Sequence, residues 1–181
     1  MKPEVRIVCE GLIVRDGQTI LEAHSSSTLV VLEGKTLIVD TSSRANRQKV
    51  IVGLAALRVH PEDIDLIVST HPHGDHVGND DLFASAKRIE LRQGEERRDI
   101  AHGARLVATP GHTRDSVSMF VEAEERYAIV GDAIPTEDNY RKSLPPGINY
   151  DREVAMASMR KIIEYADVVV PGHGRPFRID R

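Results

Sequence analysis

Four times along the chain an apolar run of strand character ends in a Gly- or Pro-bearing turn that carries a histidine or an aspartate, and this recurrence constrains the fold more than any other feature. Leu66-Ile67-Val68 leads into Thr70-His71-Pro72-His73-Gly74-Asp75-His76, and Arg105-Leu106-Val107-Ala108 leads into Thr109-Pro110-Gly111-His112. Ala128-Ile129-Val130 leads into Gly131-Asp132, and Val168-Val169-Val170 leads into Pro171-Gly172-His173-Gly174. Strands whose ends converge on one edge of a sheet would bring these loops into a common site.

The rest of the chain supplies the frame. Val5 to Val8 and Leu12 to Val14 read as opening strands, and Thr28 to Leu32 with Thr36 to Val39, separated by Glu33-Gly34-Lys35, read as a β-hairpin. After Asp40-Thr41-Ser42-Ser43, residues suited to capping, the helical spacing of Val50, Ile51, Leu54 and Leu57 predicts a helix from about Ser43 to Arg58. A brief strand is expected at Arg88 to Leu91. Ala133 to Tyr150, with Pro135, Pro145, Pro146 and Gly147, reads as a loop, and its length points to function. From Asp151 as N-cap, Ala155, Met159, Ile162, Ile163 and Ala166 recur at helical spacing and predict a closing helix before the last strand.

Length and charge narrow the function classes. A chain of 181 residues is expected to form a single domain over 1–181, since it falls short of the roughly 250 to 300 residues at which cores split. Lys+Arg 24 against Asp+Glu 28, mixed along the chain without like-charge blocks, points to no membrane surface. Nucleic acid is a secondary option only, because four Tyr, three Phe and no Trp give few platforms on which bases stack. The lone Cys9 cannot form an intramolecular disulfide and reads as core. Without a signal-like N-terminus or an apolar run near the roughly 18 residues of a membrane span, the expected compartment is cytoplasmic.

The densest chemistry is the hexapeptide His71-Pro72-His73-Gly74-Asp75-His76, where four residues able to bind metal occupy six positions. In an extended loop His71 and His73 point to one side and can share a cation. Asp75 and His76 are then free for a second ion, and His112, Asp132 and His173 complete a set of seven donors. One arrangement gives His71, His73 and His112 to one ion and Asp75, His76 and His173 to the other, with Asp132 bridging and an open position left for water. His24, His60 and His102 lack such a context and read as ordinary histidines.

On these residues the chain resembles the metallo-β-lactamase superfamily, whose His-x-His-x-Asp-His motif is His71, His73, Asp75 and His76 here. It is similar in particular to the group around metallo-β-lactamase domain-containing protein 1, through Asp75-His76-Val77-Gly78-Asn79, Thr109-Pro110-Gly111-His112 and Ala166 to Gly174, matches that lie within about residues 36 to 177. The resemblance implies an α+β fold, a four-layer αβ/βα sandwich of two face-to-face sheets with helices outside. It also implies a supporting role beneath the metals for Asp40, which on its own residues reads equally as a helix cap.

The expected function is a dinuclear metal-dependent hydrolase. Two divalent ions carry +4 and two ligand carboxylates remove 2, so the site stays positive and favours anionic substrates. Bound water acidified toward about pH 7 supplies the hydroxide, and no Ser or Cys nucleophile is required. Asp75 and Asp132 are assigned to catalysis as well as to metal. Substrates expected are small anionic esters, thioesters or phosphodiesters, with RNA among the last. Imidazole and carboxylate donors without thiolate suit Zn first, and Fe or Mn also. Asn139, Tyr140, Arg141 and Lys142, with Arg114, are candidates to meet an anionic substrate, against the alternative of a solvated polar surface. Two other classes compete: a persulfide dioxygenase with a single iron on His71, His112 and Asp132, and a metal-binding module without catalysis.

Overall fold

The computed structural model describes residues 2–180. Strand β1 (Glu4–Cys9) is followed by a hairpin of β2 (Leu12–Asp16) and β3 (Thr19–His24), then by β4 (Ser27–Leu32) and β5 (Lys35–Val39). Helix α1 (Arg47–Ala56), β6 (Leu66–Val68), the single turn α2 (Gly74–Val77) and β7 (Lys87–Arg88) complete the first half. The second half runs β8 (Arg97–Ala101), β9 (Ala104–Ala108), β10 (Val117–Glu122), β11 (Arg126–Gly131), α3 (Glu137–Arg141), α4 (Arg152–Tyr165), β12 (Val168–Pro171) and β13 (Phe177–Arg178).

Two sheets result, ordered β1-β4-β5-β6-β7 and β13-β12-β11-β10-β9-β8, while β2 and β3 pair only with each other. Period-two alternation sorts the side chains. Val30, Leu37 and Val68 of the first sheet meet Leu106, Met119 and Ile129 of the second in a core between the sheets. Leu29, Ile38 and Ile67 point the other way, onto Val50 and Leu54 of α1, and Ala128 and Val130 pack on Met159 and Ile162 of α4. The layers are therefore helix, sheet, sheet, helix, the expected α+β sandwich. Leu37 and Leu106 are fully buried at its centre, and truncating either to Ala should cost about 2–5 kcal/mol.

Local chemistry explains the main elements. In the β4–β5 hairpin Leu32 pairs with Lys35, so the turn is only Glu33-Gly34, one residue tighter than expected, with Gly34 at φ +70. Helix α4 starts where the Asp151 carboxylate accepts from the Glu153 and Val154 amides at 2.9 and 3.0 Å. The expected helix from Ser43 begins later: a 3-10 turn, Arg44–Asn46, precedes α1, and neither Ser43 nor Asn46 makes a side-chain cap. The expected strand at Arg88 to Leu91 shrinks to Lys87–Arg88, and the 133–150 segment contains the short α3. A short strand, β13, follows the strand expected to be last, and β3, β8 and β10 also lie outside the runs singled out above.

Strand direction places the loops. β5 and β6 are parallel, as are β11 and β12, and β9 runs with β11 because both are antiparallel to β10. The C-terminal ends of β5 and β6 therefore open on one edge of the first sheet and those of β9, β11 and β12 on one edge of the second, and the side chains that follow them come together on one edge of the sandwich. No helix among the described residues is long and apolar enough to cross a membrane.

Candidate metal centre

All seven expected donors meet at that edge. Ring nitrogens of His71, His73 and His112 form one group, a carboxylate oxygen of Asp75 with His76 and His173 forms a second, and His71 and His76 join Asp132 in a third; within each group the atoms lie within 4.8 Å of one another. His73 Nδ1 stands 3.1 Å from His71 Nε2 and 3.0 Å from His112 Nε2. Asp132 faces both sides: Oδ1 is 3.2 Å from His173 Nε2 and 3.4 Å from His76 Nε2, and Oδ2 is 3.5 Å from His112 Nε2.

The outer nitrogens are already committed, which fixes how each ring presents itself. His112 Nδ1–H donates to the Ile148 carbonyl at 2.7 Å, and His173 Nδ1–H donates to the His24 carbonyl at 2.9 Å. A carbonyl can only accept, so in the neutral form of both rings Nε2 carries its lone pair inward. Asp40 does the same for two more rings. Its Oδ2 accepts from His76 Nδ1 at 2.8 Å and from the Thr70 hydroxyl at 2.7 Å, and Oδ1 accepts from the Thr70 amide at 2.7 Å. With its hydrogen given to Asp40, the Thr70 oxygen accepts from His71 Nδ1 at 3.2 Å, leaving His71 Nε2 free. Asp40 is therefore no helix cap; it is 3% exposed, sits at φ +54, and orients two histidines at once.

The neighbouring hydroxyls serve the same end. Thr41 N–H donates to the His76 carbonyl at 2.7 Å, Ser42 Oγ to the Ser25 carbonyl at 2.9 Å, and Ser43 Oγ lies 2.5 Å from His24 Nδ1. Ser25 and Ser26 join the two halves, their amides bonding the Asp75 carbonyl at 3.0 Å and the Gly172 carbonyl at 2.7 Å. The loops also need small residues: a Cβ on Gly172 would strike Asp132 Oδ1, and one on Gly131, at φ +48, would strike Thr70 Oγ1.

Charge follows from burial and pairing. Burial, with the charge on His76 adding to it, pushes His71 down to about 2, and burial also lowers His112. His76 goes the other way: burial opposes its charge, but Asp40 and Asp132 carry it up to about 10. Burial likewise opposes the charge on Asp132, yet His173 and His76 hold its carboxyl well below the usual range, and His173 is raised by the same pairing. These residues fit a bound cation, for one direct reason. His76 Nε2 and Asp132 Oδ1 are buried and face the cluster, and they meet each other only as a 3.4 Å ion-pair contact, with no well-formed hydrogen bond to either atom. Such atoms are costly in a dry interior, and a cation between them would satisfy both.

The cluster opens into a cavity of about 250 Å³ that the β2–β3 hairpin roofs with Ile13, Arg15 and Ile20 and that Pro146, Gly147 and Ile148 close from the other side. A wider groove of about 750 Å³ meets the cluster only through His71 and Pro72. Arg114 lines that groove, its guanidinium 4.7 Å over the Tyr150 ring. The other polar candidates are spent on structure. Asn139 donates to the Leu144 and Pro145 carbonyls, the Tyr140 hydroxyl accepts from the Asp180 amide, Arg141 pairs with Glu137 and Asp180, and Lys142 with Asp138. His24, read as ordinary, holds His173 through its carbonyl, a contact that a side-chain pattern does not reveal.

Comparison with known proteins agrees with this geometry. The family described as the Metallo-beta-lactamase superfamily matches residues 21–97 and 86–173. A probable metallo-hydrolase of Methanocaldococcus jannaschii is 34% identical over 93% of this chain and 86% of its own length. Metallo-beta-lactamase domain-containing protein 1 of Xenopus laevis is 31% identical over 97% of this chain and 81% of its own. Among solved structures, a candidate metallo-beta-lactamase from Thermotoga maritima superposes with a TM-score of 0.78 at 19% identity, covering 98% of this chain and 100% of that one.

Proposed function

The chain belongs to the metallo-beta-lactamase superfamily of metal-dependent hydrolases, and from that premise we propose that it uses two divalent ions, Zn first among them, to hydrolyse a small anionic ester, thioester or phosphodiester. His71, His73 and His112 would hold one ion, Asp75, His76 and His173 the other, and Asp132 would bridge them. When bound, the ions supply Lewis acidity, an acidified water and stabilisation of developing negative charge.

The observation that carries this reading is the pair of buried atoms without a well-formed hydrogen bond, His76 Nε2 and Asp132 Oδ1, amid converging lone pairs. The chain's own residues then have distinct tasks. Asp40, through Thr70 and His76, keeps two rings in the tautomer a cation needs, and the Ile148 and His24 carbonyls do so for His112 and His173. The Asp75 side chain is 27% exposed on the cavity wall, placed to take a proton from the attacking water and return it to the leaving oxygen or sulfur. Water adds to the acyl or phosphoryl centre, the bond to the leaving group breaks, and one acid and one alcohol or thiol result. A cavity of about 250 Å³, below the roughly 300–1,000 Å³ of drug-sized ligand sites, favours a small substrate over a nucleic acid chain.

The test is metal content per chain by plasma mass spectrometry on purified protein, with thioester and phosphodiester hydrolysis measured beside oxygen consumption on glutathione persulfide. Near two ions per chain, hydrolysis and no oxygen uptake are expected. One iron per chain with oxygen uptake would overturn the proposal in favour of the dioxygenase.

A further inference from the structure

The roof of the small cavity has its own chemistry. Cross-strand register pairs Ile13 with Ala23 and Arg15 with Ile20, and an irregularity between Val14 and Arg15 leaves Leu21 without a partner. That bulge puts Ile20 and Ala23, three apart in sequence, on the same face as Ile13 and Arg15. All four line the cavity. The base of the hairpin is tied to the donor loops: the Gly11 amide bonds Ser26 Oγ at 3.1 Å, the Ser25 amide bonds the Asp75 carbonyl at 3.0 Å, and the His24 carbonyl receives His173. The base of the hairpin that carries Arg15 is thereby fixed relative to the cluster.

Apart from the candidate metal donors, Arg15 is the one charged side chain lining this cavity. It has no hydrogen bond or ion pair among the described residues, whereas Arg126, Arg141 and Arg178 are each paired with carboxylates. Much of the remaining wall is apolar, with Ile13, Ile20, Pro146 and Ile148 among its residues. An unpaired guanidinium, a cation-binding cluster and hydrocarbon wall within one small cavity match a ligand with an anion, a short methylene spacer and a reactive acyl group.

Resting on the hydrolase reading above, we propose that Arg15 is a specificity-determining residue that receives a carboxylate at the far end of a short acyl chain, making monoesters or monothioesters of small dicarboxylic acids the preferred substrates. The planar guanidinium forms two parallel hydrogen bonds to a carboxylate. A single positive charge matches a single negative one, and the cavity admits a chain of only a few methylenes. Arg15 makes and breaks no bond; it holds the chain so that the acyl carbon lies at the cluster.

The experiment compares p-nitrophenyl hydrogen glutarate with its neutral methyl p-nitrophenyl diester on metal-loaded wild type, Arg15→Gln and Arg15→Lys. In parallel, calorimetry measures the binding of glutarate and of pentanoate, which lacks the second carboxylate. Wild type should prefer the acid ester and glutarate, each by about 10- to 100-fold. Arg15→Gln should abolish both preferences, chiefly through a raised KM for the acid ester; Arg15→Lys should keep part of each. A preference that survives in Arg15→Gln, or none in wild type, would overturn the proposal. If neither ester is cleaved, carboxylic ester hydrolysis fails by itself, and the glutarate-to-pentanoate binding ratio in wild type and Arg15→Gln still decides the role of Arg15.

Discussion

His76, inside the donor cluster, and Arg15, on the wall of the cavity into which that cluster opens, sit in opposite conditions. His76 is 0% exposed, follows a buried strand, and has Nδ1 held by a carboxylate that is itself held by Thr70. Arg15 is exposed, stands on a hairpin that belongs to neither main sheet, and has no ion pair among the described residues. The floor is thus fixed by a closed hydrogen-bond network before any ligand arrives, while the rim keeps a charge in reserve for one. Preorganisation belongs where the donor geometry must be accurate to tenths of an ångström, and an unpaired cation belongs where substrates are sorted.

The largest effect should come from breaking the floor at its centre. Asp132→Ala removes the carboxylate that faces His76, His112 and His173, and hydrolysis should fall on the order of a thousandfold or more. Metal content should fall with it, while circular dichroism shows the sandwich retained. Unchanged metal content would break the assignment.

Asp40→Asn should come next. The amide nitrogen cannot accept the hydrogens that Thr70 and His76 donate, so metal affinity, titrated against a competing chelator, should drop about 10- to 100-fold. Substrate preference should not change, because Asp40 does not line the cavity.

Proton bookkeeping sharpens the contrast further. His76 has a folded pKa raised from 6.5 to about 10, so in the metal-free protein its pairing stabilises the fold fully below about pH 6.5, and that contribution is lost as pH rises through about 10. Asp132 has the opposite sign: its contribution is present above its ordinary value of 3.8 and is lost as the pH falls through its lowered folded value. A cation that takes His76 Nε2 at neutral pH must displace a proton, so binding should release about one proton from this ring and strengthen as pH rises from 6.5 toward 10. Calorimetry in buffers of different ionisation enthalpy counts that proton.

The smallest effect lies on the outer surface, at the end of α3. Lys142→Ala breaks an ion pair with Asp138 whose partners are 61% and 72% exposed, and it should shift stability by less than about 1 kcal/mol and leave KM unchanged. A clear rise in KM would return Lys142 to the substrate-binding candidates named from sequence.

The floor was largely legible in the sequence and the rim was not, for a physical reason. Donor residues must be His or Asp and must follow buried strands, so His71 to His76, His112, Asp132 and His173 stand out as polar residues abutting apolar runs. The Asp151 cap and the Glu33-Gly34 turn are equally local. By contrast, the Ile148 and His24 carbonyls that orient His112 and His173 are backbone atoms, common to every residue type. Asp40 to Ser43 read as capping residues because the same short oxygens that cap helices also brace loops. Arg15 gave no signal, since its role depends on a hairpin whose second strand, Thr19–His24, is mostly exposed and weakly patterned.

The donors also lie on two different sheets: the His71 to His76 loop follows the first, and His112, Asp132 and His173 follow strands of the second. A bound ion is then a rivet through the sandwich, and the halves cannot part without releasing it. At a free metal concentration a hundred times its dissociation constant, such linkage adds about 2.7 kcal/mol against unfolding. The lifetime of the folded chain, and its resistance to proteases, would then rise and fall with the metal supply of the cell that makes it.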